Sequence, residues 1–234
     1  MDRDATIAGV RVPARRRGRW TRAVVRLLAR ATRIAAAATA LLALPFFLLV
    51  RGSVWAYRDL GWPTWGAVAG GLLAAGLVVL AYAALGWRRF TGRRLPRLLG
   101  RATLLATSAY GVFALLYLSA AQAKSAPVRA EYTALHPLLR LATSTWLMVD
   151  RDAVVTDMAR TAEDYLRMGL PVNEASLHFR LEDRWVHALD LRTAGRPEWR
   201  NRLVGLYFRA MGFRTLRHVG TADHLHVSLP RGDG

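Results

Sequence analysis

The chain has no cysteine. That excludes a disulfide scaffold, a Cys-ligated zinc finger, an iron–sulfur cluster and any thiol nucleophile. Acidic side chains are scarce in its first half. Residues 1–123 hold 18 Arg against 3 acidic residues, whereas residues 124–234 hold 16 basic and 13 acidic residues. A total formal charge of +18 would by itself suggest a nucleic-acid partner. The excess, however, sits in the half that also carries the long apolar runs, and no nucleic-acid partner is expected.

Three runs lack any charged side chain: Ile34–Val50, Gly66–Gly86 and Ala102–Ala123. The second and third are long enough to cross about 30 Å of hydrocarbon at about 1.5 Å per residue. The first is shorter, but Trp55, Tyr57 and Trp62 follow it, and these side chains suit a membrane–water interface. No charge lies within the spans, so transport and proton relay find no support.

The Arg distribution predicts sidedness. Ten Arg precede residue 34, and six lie in the loop Trp87–Arg101. The loop 51–65 carries only Arg51 and Arg58. Cytoplasmic loops hold the basic excess. The expected organisation is therefore a cytoplasmic Arg-rich tail (1–33), three transmembrane helices (34–123) and a domain at 124–234 outside the cell membrane. The expected fold is a three-helix membrane anchor in the lipid bilayer plus an α+β extracytoplasmic domain with a small antiparallel sheet.

Within that domain, a helical stretch is predicted over 129–148 with a break at His136–Pro137. Val154–Thr156 reads as a strand, and Thr161–Met168 and residues 198–211 read as helices. Trp199, Leu203, Leu206 and Met211 form the apolar stripe of the last one. Strict alternation marks Ser176–Glu182, Trp185–Leu191 and His224–Leu229 as half-buried strands. The first two pair best as a hairpin with a three-residue loop, Glu182–Asp183–Arg184, because slippage by one residue would expose one apolar face. The loop lacks the glycine usual at its left-handed position. In this register His178 and Asp190 are diagonal neighbours on the polar face.

His178, Asp190, His224 and His226 all fall on strand faces turned away from the apolar layer. Two His and one Asp make a zinc ligand set that leaves a position for water, whose pKa the metal lowers to about 7. The sequence leaves His187 as an alternative to His178 for the first ligand. His136 and His218 have no partner pattern.

Residues 154–229 resemble the D-Ala-D-Ala carboxypeptidase branch of the zinc peptidase group that includes lysostaphin and the hedgehog signalling domain. The elements that carry the resemblance are Arg160–Thr161, Ser176–Leu177–His178, Ala188–Leu189–Asp190, Gly212–Phe213 and His224–Leu225–His226. The resemblance implies that His178, Asp190 and His226 hold zinc, that His224 is the catalytic histidine, and that Arg160 meets the substrate carboxylate or the developing oxyanion. It further implies a membrane-anchored, zinc-dependent peptidase or carboxypeptidase acting on peptidoglycan peptides, with zinc-bound water as nucleophile. In the family the first His and the Asp stand seven apart with a Gly between; here they stand twelve apart without it, as a hairpin insertion would cause. The alternative is a catalytically degenerate, membrane-tethered module that binds cell wall or regulates a partner. The element His226–Val227–Ser228–Leu229 also resembles half of a two-histidine phosphoesterase site, but His178–Phe179–Arg180–Leu181 lacks the hydroxyl that a second half needs.

Overall fold

The computed structural model describes residues 17–220 and 223–230. Helix α1 (Arg17–Phe47) runs through Pro45 into a π-helical turn at Leu48–Gly52 and then α2 (Ser53–Arg58). Proline removes one backbone donor from a helix interior, and π-turns are where such ladders shift. Helix α3 (Thr64–Thr91) starts after Pro63 and α4 (Arg97–Leu116) after Pro96, the residue type whose fixed φ suits entry to a helix. Among the described residues, three helices are long and apolar enough to cross a membrane: Arg22–Arg58, Thr64–Thr91 and Arg97–Leu116. Their flanks expose leucines such as Leu73, Leu77, Leu85 and Leu105, which lipid solvates at no cost and water does not. The third apolar run is helical only to Leu116; residues 117–119 leave the helix and a short 3-10 turn follows at Ala120–Gln122.

Two compact units divide the chain, Met1–Ala43 and Leu44–Gly234. Inside the second, α3 approaches the π-turn closely at Gly71, where a Cβ would lie 2.0 Å from Ser53 Oγ and 2.6 Å from the Leu49 carbonyl oxygen. After the last span come α5 (Ala126–Ala130), a 3-10 turn (Glu131–Ala134) and α6 (Pro137–Val149). The break at His136 is as expected: its Nδ1 accepts the Leu138 N–H at 3.2 Å and so caps α6. Helix α6 buries most of its surface and joins domain to anchor. Tyr132 Oη lies 2.7 Å from the Ala114 carbonyl oxygen, Arg140 Nη1 donates to that of Leu115 at 2.7 Å, and the Tyr110 and Thr145 hydroxyls are 2.8 Å apart.

Four strands form an antiparallel sheet in the order β1-β2-β4-β3: β1 (Val155–Asp157), β2 (Ala188–Arg192), β3 (Arg214–His218) and β4 (His224–Ser228). Short α7 (Ala162–Arg167) is closed by a capping box between Thr161 and Asp164. Helix α8 (Glu198–Ala210) packs Val204 and Phe208 into the core. That core joins Leu138, Leu139 and Leu141 of α6 to Leu189, Leu191, Leu225 and Val227 of the sheet.

Several expectations change. Residues 176–179 form turns, with the Phe179 N–H bonded to the Ser176 carbonyl, and not a strand. The hairpin tip keeps its expected register: Leu181 N–H bonds Trp185 O, Arg180 bridges Val186, and Arg184 takes the left-handed position at φ 68° without a glycine. Strand β2 is buried on both faces, because it is central in the sheet. The stripe of Trp199, Leu203 and Leu206 faces outward; the core takes Asn201, Val204, Gly205 and Phe208 instead. Strand β3 was not foreseen, since an exposed edge with two Arg carries no apolar alternation.

Candidate metal centre

Strands β2 and β4 set the site. Their register places Asp190 opposite His226 and Arg192 opposite His224. Residues directly opposite on an antiparallel pair share a face with Cβ atoms about 4.5–5.5 Å apart. His226 Nδ1 accordingly lies 2.9 Å from Asp190 Oδ1.

His178 arrives from the turn. Its backbone is fixed by its own N–H to Ser176 Oγ at 3.3 Å and by the Arg160 N–H to its carbonyl at 2.8 Å. Its Nδ1 lies 2.7 Å from the Met158 carbonyl oxygen. A carbonyl only accepts, so Nδ1 carries the proton, and the neutral ring keeps its lone pair on Nε2. That Nε2 points into the cluster, 3.2 Å from His226 Nδ1 and 3.5 Å from Asp190 Oδ1.

The three donor atoms therefore stand 2.9, 3.2 and 3.5 Å apart. Tetrahedral zinc with bonds of about 2.0–2.2 Å requires donors about 3.3–3.5 Å apart. A shift of a few tenths of an ångström accommodates the ion, and the set of two imidazoles and one carboxylate suits zinc chemically. Asp190 is 4% exposed. Burial pushes its carboxyl up, but hydrogen bonding and charge from His178, His226 and His224, where those rings are protonated, outweigh that and hold it well below the usual carboxylate range. The group is ionised, as a ligand must be.

A second group gathers His136, Asp183 and His187. Both nitrogens of His136 are engaged, Nδ1 by the Leu138 N–H and Nε2 by Thr64 Oγ1 at 3.2 Å. Burial, His187 and Arg140 push its pKa down to about 2, so it stays neutral. Its only lone pair is thus spent on the helix cap. His187 is buried and binds Asp183 Oδ2 through Nε2 at 2.7 Å. The structure separates the two alternatives for the first ligand: the His178 ring meets Asp190 and His226, and the His187 ring does not.

No family model, curated protein or solved structure matches this chain. The functional reading therefore stands on residues and geometry. Arg160 holds Asp157 Oδ2 through Nε at 2.6 Å and Nη2 at 2.5 Å, and its Nη2 also lies 3.6 Å from Asp190 Oδ2. His224 Nε2 is 3.7 Å from the same Asp190 oxygen, with its ring stacked on His218 at 4.6 Å. His218 is thus a ring partner to the site, although no sequence pattern marks it.

Asp190 and His224 form part of the wall of a cleft of about 690 Å³. Lys124, Arg160, Arg167 and Arg192 line it with positive charge, and Glu131, Asp157, Asp164, Asp190 and Asp223 with negative charge. Sequence reasoning missed Glu131, Lys124 and Arg192, which come from three separate segments. Asp157 had one legible signal, an acid three residues before Arg160. Burial pushes the Glu131 carboxyl up; the Ala159 N–H, donating to Oε2 at 3.2 Å, partly opposes this, and the Asp157 and Asp164 charges add to the rise.

Proposed function

We propose that this protein is a membrane-anchored, zinc-dependent peptidase whose domain lies outside the cell and cleaves peptidoglycan peptides. One observation carries the reading: Asp190, His226 and the Nε2 of His178 converge at zinc-ligand spacing, with the His178 tautomer fixed by Met158. The Arg-based sidedness supports an external substrate, and the resemblance of Arg160, Ser176–His178, Ala188–Asp190 and His224–His226 to carboxypeptidase elements supports peptide hydrolysis.

His178, Asp190 and His226 would hold zinc, which when bound would supply a Lewis acid and lower the pKa of a water. The chain supplies the rest. Arg160 presents a fixed positive charge beside Asp190, where a peptide carbonyl or terminal carboxylate would sit. His224 Nε2 stands at the cleft wall, placed to take a proton and return it to the leaving amine. Lys124 and Arg192, in the wall of the cleft, are the cations available to pair with the anionic end of a peptide.

The second reading is a zinc-holding module without turnover. The grip of Asp157 on Arg160 favours it, because that guanidinium is already paired. Purified full-length protein in detergent, incubated with muropeptides with and without chelator, separates the two. The peptidase reading expects release of a terminal amino acid, abolished by chelator and restored by zinc. Turnover that persists in chelator overturns it, and zinc binding without turnover selects the second reading.

A further inference from the structure

Helix α8 has two apolar faces. At 3.6 residues per turn, Trp199, Leu203, Leu206 and Ala210 fall within an arc of about 60° whose centre lies about 150° around the helix from Val204 and Phe208. The inner face is buried; on the outer one Trp199, Leu203 and Leu206 are 60%, 46% and 57% exposed. Arg202 and Arg209 flank that outer stripe and are exposed too. An apolar stripe turned away from the core requires a cover.

The C-terminal end of α8 is pinned to the last turns of the first candidate span, and its N-terminal end to the close of α6. At its C-terminal end, Arg58 Nη1 donates to the Gly212 carbonyl at 3.0 Å. Gly212, at φ +97°, packs so closely that a Cβ there would lie 2.6 Å from Arg51 Nη1 and 2.8 Å from Val54 Cγ1. At its N-terminal end, Arg196 pairs with half-buried Asp150, and Arg200 Nη1 lies 2.6 Å from Asp152 Oδ2. Asp150 closes α6, whose Thr145 meets Tyr110 within the third span and whose last residues, Met148 and Val149, are exposed.

We infer that the outer face of α8, built on Trp199, Leu203 and Leu206, docks on the surface of the same bilayer that the spans cross. Arg202 and Arg209 stand beside the headgroup phosphates. A tryptophan, two leucines and flanking arginines are the composition of a helix lying in a membrane interface. Three side chains expose far less area than the about 800 Å² per partner of a stable protein interface, so the bilayer, and not a second copy, is the occupant. The domain is then held by its spans and by α8, which fixes its tilt over the membrane.

Because the chain has no cysteine, single nitroxide labels can be placed at will. Leu203→Cys, Leu206→Cys and, as a reference, Val219→Cys are made in the full chain and reconstituted into vesicles of phosphatidylethanolamine and phosphatidylglycerol. Val219 is 83% exposed, and all three positions are outside the core. The expected result is that labels at 203 and 206 are relaxed by oxygen and protected from a water-soluble nickel chelate, with the reverse at 219. Equal nickel access at 203 and 219 overturns the inference. Spin–spin broadening at 203 that disappears on dilution with unlabelled chain also overturns it, in favour of contact between copies.

Discussion

Asp190 and His226 face each other across β2 and β4, with Nδ1 and Oδ1 2.9 Å apart, and the Nε2 of His178 closes the triangle. Removing any corner breaks the ligand set. His178→Ala, Asp190→Asn and His226→Ala are each expected to lower zinc affinity by more than the roughly 10–100-fold that losing a partner behind a ligand costs. His187→Ala should leave zinc content unchanged. Metal analysis of the purified variants checks this; loss of zinc in His187→Ala would move the first ligand to the other cluster.

Arg160 has a planar guanidinium that reaches Asp157 and Asp190 together. Lysine cannot reproduce that fork. Arg160→Lys is expected to lower kcat/KM on muropeptides roughly 10²-fold, the scale of losing one oxyanion donor, with zinc content intact. Unchanged kinetics would remove Arg160 from the mechanism.

Glu131 gives a pH dependence with a definite sign. Burial raises its carboxyl in the folded state. Stability from such a group is fully present below its unfolded value of about 4.3 and is lost as pH rises through the higher folded value. Glu131→Gln keeps an acceptor for the Ala159 N–H and removes the charge. Its thermal midpoint relative to the native chain should therefore improve between acidic pH and neutrality. A difference independent of pH would show that the carboxyl titrates normally.

Gly71 lets α3 close on the π-turn, where a Cβ would meet Ser53 Oγ and the Leu49 carbonyl. The Ser53 hydroxyl is itself bound to that carbonyl at 2.6 Å and has no room to give. Gly71→Ala is expected to cost about 1–3 kcal/mol, the usual scale of overpacking, read as a lower midpoint of unfolding in detergent. Gly86→Ala, at a position with open space around it, is the control.

Local patterns were legible where local physics decides. Apolar length marked the spans, His136–Pro137 marked the helix break, and Thr161–Met168 and 198–211 were legible as helices. Two readings failed for one reason. Trp199, Leu203 and Leu206 are more apolar than Asn201 and Gly205, yet Asn201 binds the Thr193 carbonyl at 3.2 Å and Val204 and Phe208 reach the core, so the core took the other face. Likewise 176–182 alternates, but only Arg180 and Leu181 pair at the hairpin tip; the His187 N–H reaches the Leu177 carbonyl, and residues 176–179 fold into turns.

The sequence by itself determined which parts can enter lipid, which side chains can bind a metal, and where helices start and stop, because these depend on composition and on neighbours within a few residues. Only the tertiary structure decided that Asp190 meets His226 and His178 in place of His187, and that α8 shows its leucines outward. Those outcomes depend on the pairing of β2 with β4 across 36 residues and on packing against α6, and no local pattern encodes which distant surface arrives.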